Sequence, residues 1–207
     1  MKKLLVIFPF IGIVIFFLLY IYAAYLYPGG STVNPKHPGF DWFHNYWCDL
    51  MNTLAKNGVT NPARSVAQVA LVLLAISLGT LFYLFPKYFP SMRTKGAKWE
   101  KIVAFAGLSA VLITMFISTD FHDVVIGLGG FLGLLAFLGI LVVFKRHNMR
   151  IYMFWGWISV FLLVINVIMF FTRWGEYYLP FAQKVAFFIV LSWFGFISWF
   201  MVKKAQQ

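Results

Sequence analysis

The densest cluster of titratable side chains is Asp120, His122 and Asp123, a D-x-H-D string that offers carboxylates and an imidazole to a metal ion or a proton relay. The same residues suit a helix start, with Asp120 as cap and Asp123 in the first turn, where an anion gains about 0.3 to 1 kcal/mol from the macrodipole. His44 and Asp49 could complete a site with them; a zinc site, if the chain has one, would draw on His44, Asp49, Asp120, His122 and Asp123. No pattern in the sequence requires a cofactor. Arg173 and Glu176 read as a local ion pair, although an arginine there can also hold a phosphate or carboxylate. Together these seven residues are the candidate ligand-binding set. Cys48 is the only cysteine, which excludes an intrachain disulfide or a multi-cysteine zinc site.

The elements that must position these groups are set by composition. Of 207 residues, 62% are apolar, 21% aromatic and only 11% charged, a balance far from that of a water-soluble domain. Six apolar runs stand out: Leu4 to Tyr27, Ser65 to Phe85, Ile102 to Ser118, Val124 to Phe144, Ile151 to Phe171 and Pro180 to Val202. Each is apolar on every side and near the roughly 20 residues that a helix needs to cross a hydrocarbon core of about 30 Å. A membrane barrel would show shorter segments of alternating polarity. The expectation is an all-α integral membrane bundle of six transmembrane helices, one polytopic domain over residues 1–207. The first run, longer than a signal core and ending in bulky rings, is expected to stay as a helix.

Basic residues orient this arrangement. With the amino terminus inside, Lys2, Lys3, Lys87, Arg93, Lys95, Lys98, Lys101, Lys145, Arg146, Arg150, Lys203 and Lys204 are cytoplasmic, and Glu100 is the one acid that joins them. Lys36, Lys56, Arg64, Arg173 and Lys184 balance Asp41, Asp49, Asp120, Asp123 and Glu176 outside, so the whole formal excess of +11 lies inside. The positive-inside rule thus predicts a membrane protein with both termini cytoplasmic. The basicity suits anionic headgroups rather than nucleic acid, which would need one basic soluble surface.

Only one connector is long. Residues 28–64 open on the turn signal Pro28-Gly29-Gly30-Ser31, and Phe43, Tyr46, Trp47, Leu50, Met51 and Leu54 then recur at three- and four-residue steps. An outer amphipathic helix from about Trp42 to Lys56 is predicted, stopped at Asn57-Gly58, as a lid or an interfacial anchor. Its polar face would carry His44, Asn45, Cys48, Asp49 and Asn52. The Gly129 to Gly133 spacing predicts close helix packing, Asn166 an interhelical amide, and Lys184 a snorkelling side chain.

Several activities lack their residues. Membrane haem needs spanning histidines, and His37, His44, His122 and His147 are at edges or outside the spans. Ser109 has no spanning histidine to activate it, and Gly127-x-Gly129 lacks the strand and loop of a dinucleotide site.

The order Tyr27-Pro28-Gly29-Gly30, Asn45-Tyr46-Trp47-Cys48-Asp49-Leu50, Asn61-Pro62-Ala63-Arg64 and Phe121-His122-Asp123 resembles the bacterial and archaeal six-span family catalogued as domain of unknown function nine-nine-eight. It is more loosely similar to the DRAM and Sfk group. Family members often carry Ser-Asp-Leu-Gly where this chain has Cys48-Asp49-Leu50-Met51, so only Asp-Leu is shared. The resemblance implies the six-helix architecture. A remoter likeness, to ceramidase-type membrane hydrolases, would imply a serine, an aspartate and three histidines at the membrane edge; the histidine pair of the last helix is absent here.

The functional expectation is an exoplasmic polar mouth that binds a lipid headgroup or small ligand beneath the aromatic helix, with the bilayer as the main partner and no nucleic acid. The alternatives are a metal-assisted lipid hydrolase or transferase of the outer leaflet, and a transporter or scaffold subunit.

Overall fold

Long runs without an intervening polar group become helices because only intrasegment hydrogen bonds satisfy the backbone where water is absent. The computed structural model describes residues 2–90, 98–116 and 122–206. These are all-α: α1 (Lys2–Leu26), α2 (Ala63–Tyr88), α3 (Trp99–Thr114), α4 (His122–Arg146), α5 (Arg150–Thr172) and α6 (Leu179–Lys204), with single 3-10 turns at Trp47–Met51 and Glu176–Tyr178. Among the described residues there is no strand, only isolated bridges pairing Gly29 with Pro38 and Leu54 with Thr60.

Helices α1, α2, α4, α5 and α6 are long and apolar enough to cross a membrane, which makes this a multi-pass membrane protein by length and composition. The third run differs. Its helix has 16 residues, roughly 24 Å at 1.5 Å per residue, less than the hydrocarbon thickness.

The chain divides into two compact units. The first comprises Met1–Ile13, Val72–Gly156 and Trp193–Gln207. Within it α3 lies antiparallel on α4 through small residues: a Cβ on Gly139 would stand 2.6 Å from the Val103 side chain, one on Gly129 3.0 Å from Thr114, and one on Gly133 3.9 Å from Ala110. The glycine stripe expected from the sequence is therefore a helix contact. Trp193 of α6 is fully buried against Phe137 and donates its indole N–H to the Tyr152 carbonyl at 2.8 Å. The start of α1 lies beside the end of α6, where Ser198 Oγ donates to the Val6 carbonyl at 3.4 Å. Lys204 Nζ reaches the Tyr88 carbonyl at the end of α2, 2.7 Å away. Glu100, at the start of α3, is buried with its Oε1 3.9 Å from the Arg146 guanidinium.

The second unit comprises Val14–Leu71 and Trp157–Ser192, and it contains the long connector. Here the structure corrects the sequence reading. No amphipathic helix runs from Trp42 to Lys56; turns surround the five-residue 3-10 helix Trp47–Met51. The cause is side-chain competition for backbone groups. Asp41 Oδ1 accepts the N–H groups of Phe43 (3.0 Å) and His44 (3.2 Å), Asn45 Oδ1 that of Asp41 (2.8 Å), and Asp49 Oδ2 that of Tyr46 (2.9 Å). Each bond closes a local turn. The three- and four-residue apolar spacing instead reflects what the folded segment presents to the helices, with Leu50 fully buried and Trp47 among the rings of Phe16, Phe17 and Tyr20 of α1 and Phe187 of α6. Asn57-Gly58 is likewise a turn rather than a helix stop: Gly58 (φ 81°) sits between Ala55 and Val59, whose N–H and C=O pair at 2.9 Å.

Gly29 and Gly30 hold the connector's entry. Their φ values are 128° and 83°, and a Cβ on either would meet backbone, His37 O at 2.6 Å or Asn57 N at 2.4 Å. Only glycine fits both conformation and space.

Candidate functional site

The connector folds into a cap whose polar side chains are mostly consumed in holding it. Asn45, fully buried, passes one bond to the next: its Oδ1 takes the Asp41 N–H, and its Nδ2 donates to Asp49 Oδ2 at 3.2 Å. Asp49 is buried, with Lys56 Nζ 3.4 Å from its other oxygen. Lys184, expected to snorkel outward, is instead buried: its ammonium donates to the Asn45 carbonyl and to the Pro180 carbonyl (3.0 Å), and it lies over the Phe40 ring. A charged donor satisfies the Asn45 carbonyl where water has little access.

Asn61 is the second clamp. Its Nδ2 faces the carbonyls of Asp49 (3.3 Å), Leu50 (3.1 Å) and Asn52 (3.0 Å), while its Oδ1 accepts the N–H of Ala63, the first residue of α2 (3.1 Å). One amide thus fixes the 3-10 turn and caps a helix. The Tyr27 hydroxyl accepts the Lys56 N–H at 2.9 Å, and Asn57 Nδ2 donates to the Pro28 carbonyl at 3.0 Å, which closes the cap on its entry.

Of the sequence-predicted set, Asp49 is structural and shielded. His44, Arg173 and Glu176 remain at the surface of this unit. His44 Nδ1 lies 2.8 Å from Asp41 Oδ2; because a carboxylate only accepts, Nδ1 carries the proton and Nε2 is left for another partner. The imidazole packs on Tyr177 with ring centres 4.4 Å apart, and Phe43 stacks on Phe181 at 5.1 Å. Arg173 and Glu176 form an ion pair, with side chains 69% and 50% exposed. Arg173 takes the left-handed conformation (φ 59°) that ends α5, and Gly175 (φ 68°) turns the chain into α6. Trp42, Phe43, Trp174, Tyr177, Tyr178 and Phe181 of the same unit are exposed. Asp120 lies outside the described residues, and His122 and Asp123 are described only as the first backbone positions of α4.

Electrostatics follow the burial. Burial raises the Asp41 carboxyl, but hydrogen bonds from His44, the Phe43 N–H and Ser31 outweigh it and hold it below its ordinary value. Burial, with the charge of Asp49, pushes the Cys48 thiol up to about 11, the opposite of an activated nucleophile. Burial also raises Tyr46, and the negative charge of Glu176 adds to it.

A cleft of about 20 Å³ among Phe17, Tyr20, Phe40, Trp42, Trp47 and Leu50 has room for roughly one water molecule and is lined by carbon. Among the described residues no three His, Cys, Asp or Glu side chains stand close enough to share a metal ion.

Sequence reasoning missed Asn61 as a clamp and Lys184 as an anchor. Asn61-Pro62-Ala63 carried the available signal, an amide one residue before a helix-starting proline. Compared with family models, with curated proteins and with solved structures, the chain finds no match in any of the three.

Proposed function

We propose that this is a six-span protein of the bacterial inner membrane, with both termini cytoplasmic, whose outer cap binds the headgroup of a zwitterionic phospholipid at its rim. The six-span reading is supported by the first unit. The start of α1 and the end of α6 are neighbours there, consistent with termini on one side as an even number of crossings requires, and α3 returns antiparallel along α4. The excess of basic residues on the expected inner segments supports the orientation. Kinship with the six-span family suggested by the Asn45-Tyr46-Trp47-Cys48-Asp49-Leu50 stretch belongs to the same proposal.

One observation carries the binding reading: an exposed Arg173–Glu176 pair stands in the same turn as Tyr177, which packs on the Asp41-oriented His44, amid exposed aromatic rings. An exposed ion pair is worth about 0 to 1 kcal/mol in water, so opening it costs little. A zwitterionic headgroup exchanges it for two charge-matched contacts, phosphate on the Arg173 fork and ammonium on Glu176 and the aromatic faces. Exposed Trp and Tyr favour the depth at which such headgroups lie. The lipid meets the rim, where the exposed ion pair and aromatic rings stand.

The test is thermal unfolding of detergent-purified protein with added short-chain phosphatidylethanolamine. The wild type is expected to gain stability with lipid concentration, and Arg173→Gln and Glu176→Gln to lose most of that gain while melting normally without lipid. Equal stabilisation of both variants and wild type refutes rim binding. Equal stabilisation by soluble phosphoethanolamine makes the ligand a small molecule rather than a lipid.

A further inference from the structure

The first unit contains a separate groove of about 220 Å³ between the start of α1 and the end of α6, lined by Leu4, Val6, Ile7, Val202, Ala205 and Gln206. Five of these six side chains are hydrocarbon, so the groove suits an alkyl chain and offers water almost nothing to bond. Its one polar wall is the Gln206 amide. Lys203 stands one helical turn before Gln206, exposed, and can snorkel along the helix towards the polar layer. Lys204, whose ammonium reaches the Tyr88 carbonyl, adds positive charge one residue on.

We infer that this groove holds one acyl chain of an anionic phospholipid, with the phosphate and its negative charge against Lys203. The apolar wall and the cation address the two parts of such a lipid in the order in which a bilayer presents them. Basic pockets between spanning helices select anionic headgroups in this way. A zwitterionic lipid fills the groove equally well, but its ammonium meets the lysines unfavourably. Charge complementarity therefore chooses the occupant. This site lies within one unit and shares no residue with the cap rim, so it stands independently of the function proposed above.

The test reconstitutes the full chain in vesicles of phosphatidylcholine mixed with phosphatidylglycerol, releases it into mild detergent and weighs the retained lipid by native mass spectrometry. The wild type is expected to retain one phosphatidylglycerol in excess of its share in the vesicle. Lys203→Gln should reduce that preference about fivefold, the discrimination one basic residue supplies near an anionic surface. Ala205→Trp, which fills the groove, should remove the excess of phosphatidylglycerol while leaving lipid held at the cap rim. Arg173→Gln should leave the preference intact. Retention in proportion to vesicle composition by the wild type, or a wild-type preference in Lys203→Gln, overturns the inference. Should Ala205→Trp unfold, seen as a lost melting transition, Val6→Phe serves as the groove-filling variant with the same expectation.

Discussion

Asn61→Ala isolates what holds the cap closed. The substitution removes the acceptor for the first N–H of α2, a capping loss of about 1 kcal/mol. It also removes the donor facing three carbonyls. Of these, Asp49 O keeps the Asn52 N–H at 3.3 Å, and Asn52, exposed, turns to water. Leu50, fully buried, has no such recourse, and a buried acceptor left without its donor costs about 1 to 3 kcal/mol. The two terms give about 3 kcal/mol, charged mainly to opening of the cap. Cys48 reports that opening: it is the only thiol, and burial holds it protonated up to about pH 11, so a maleimide reacts with it chiefly when the cap is open. At a tenfold change per 1.4 kcal/mol, labelling should accelerate on the order of a hundredfold. Asn61→Ser, which retains a capping oxygen but not the amide, should recover about 1 kcal/mol, roughly fivefold in rate. Acceleration of less than threefold in Asn61→Ala would refute the clamp. Full recovery in Asn61→Ser would reduce Asn61 to a helix cap.

Two further outcomes follow from single contacts. Gly12→Ala places a Cβ 1.8 Å from Ser77 Oγ and 2.8 Å from Ser77 Cβ, and should cost about 1 to 3 kcal/mol of thermal stability; Ser77→Gly in the same chain should restore more than half, and strictly additive losses would show that α1 and α2 do not touch there. Asp41 has a folded pKa below its ordinary 3.8, so its stabilising contribution is complete above that value and is lost as pH falls through the folded one. Melting followed by tryptophan fluorescence should therefore decline on acidification below about pH 4, and Asp41→Asn should start less stable but flatten that decline. An unchanged acid limb in the variant contradicts the role given to Asp41.

Much of this is legible in the sequence. Apolar runs became helices because a run without polar interruption leaves the backbone only itself to bond. The Gly129 and Gly133 positions became a contact, and Asn166 donates across to the Ala182 carbonyl of α6 at 3.4 Å, as an amide within a span should. The connector was misread for a specific reason. Apolar periodicity counts side chains, whereas Asp41, Asn45 and Asp49 act on main-chain N–H groups and turn the same residues into bends. Lys184 was misplaced because the snorkelling rule assumes open water at the helix end, and here the cap supplies the Asn45 carbonyl instead. Neither partner is adjacent in sequence. The Arg173–Glu176 pair, three residues apart, is readable, but Phe43 and His44, which pack on Phe181 and Tyr177 beside it, come from a segment more than 100 residues distant.

The cap also decides where chemistry can occur. A segment that folds against apolar helices cannot leave its turns to be solvated, so each shielded backbone group must find a partner, in another backbone group or in a side chain. Asn45, Asp49, Asn61 and Lys184 fill that role with nearly every donor and acceptor they possess. A ligand that took Asp49 would strand the Tyr46 N–H and the Asn45 amide, a loss comparable to what one new contact gains. Within the connector, proximity of polar groups in sequence is thus a poor guide, since Asn45 and Asp49 are already committed. His44, Arg173, Glu176 and Tyr177 carry the proposed binding because engaging them need not undo the fold: the Arg173–Glu176 pair is exposed and His44 keeps only its Nδ1 contact to Asp41. Selectivity at such a rim must come from the fixed spacing of opposite charges and aromatic faces rather than from enclosure, which is the form of recognition a lipid headgroup at a membrane surface permits.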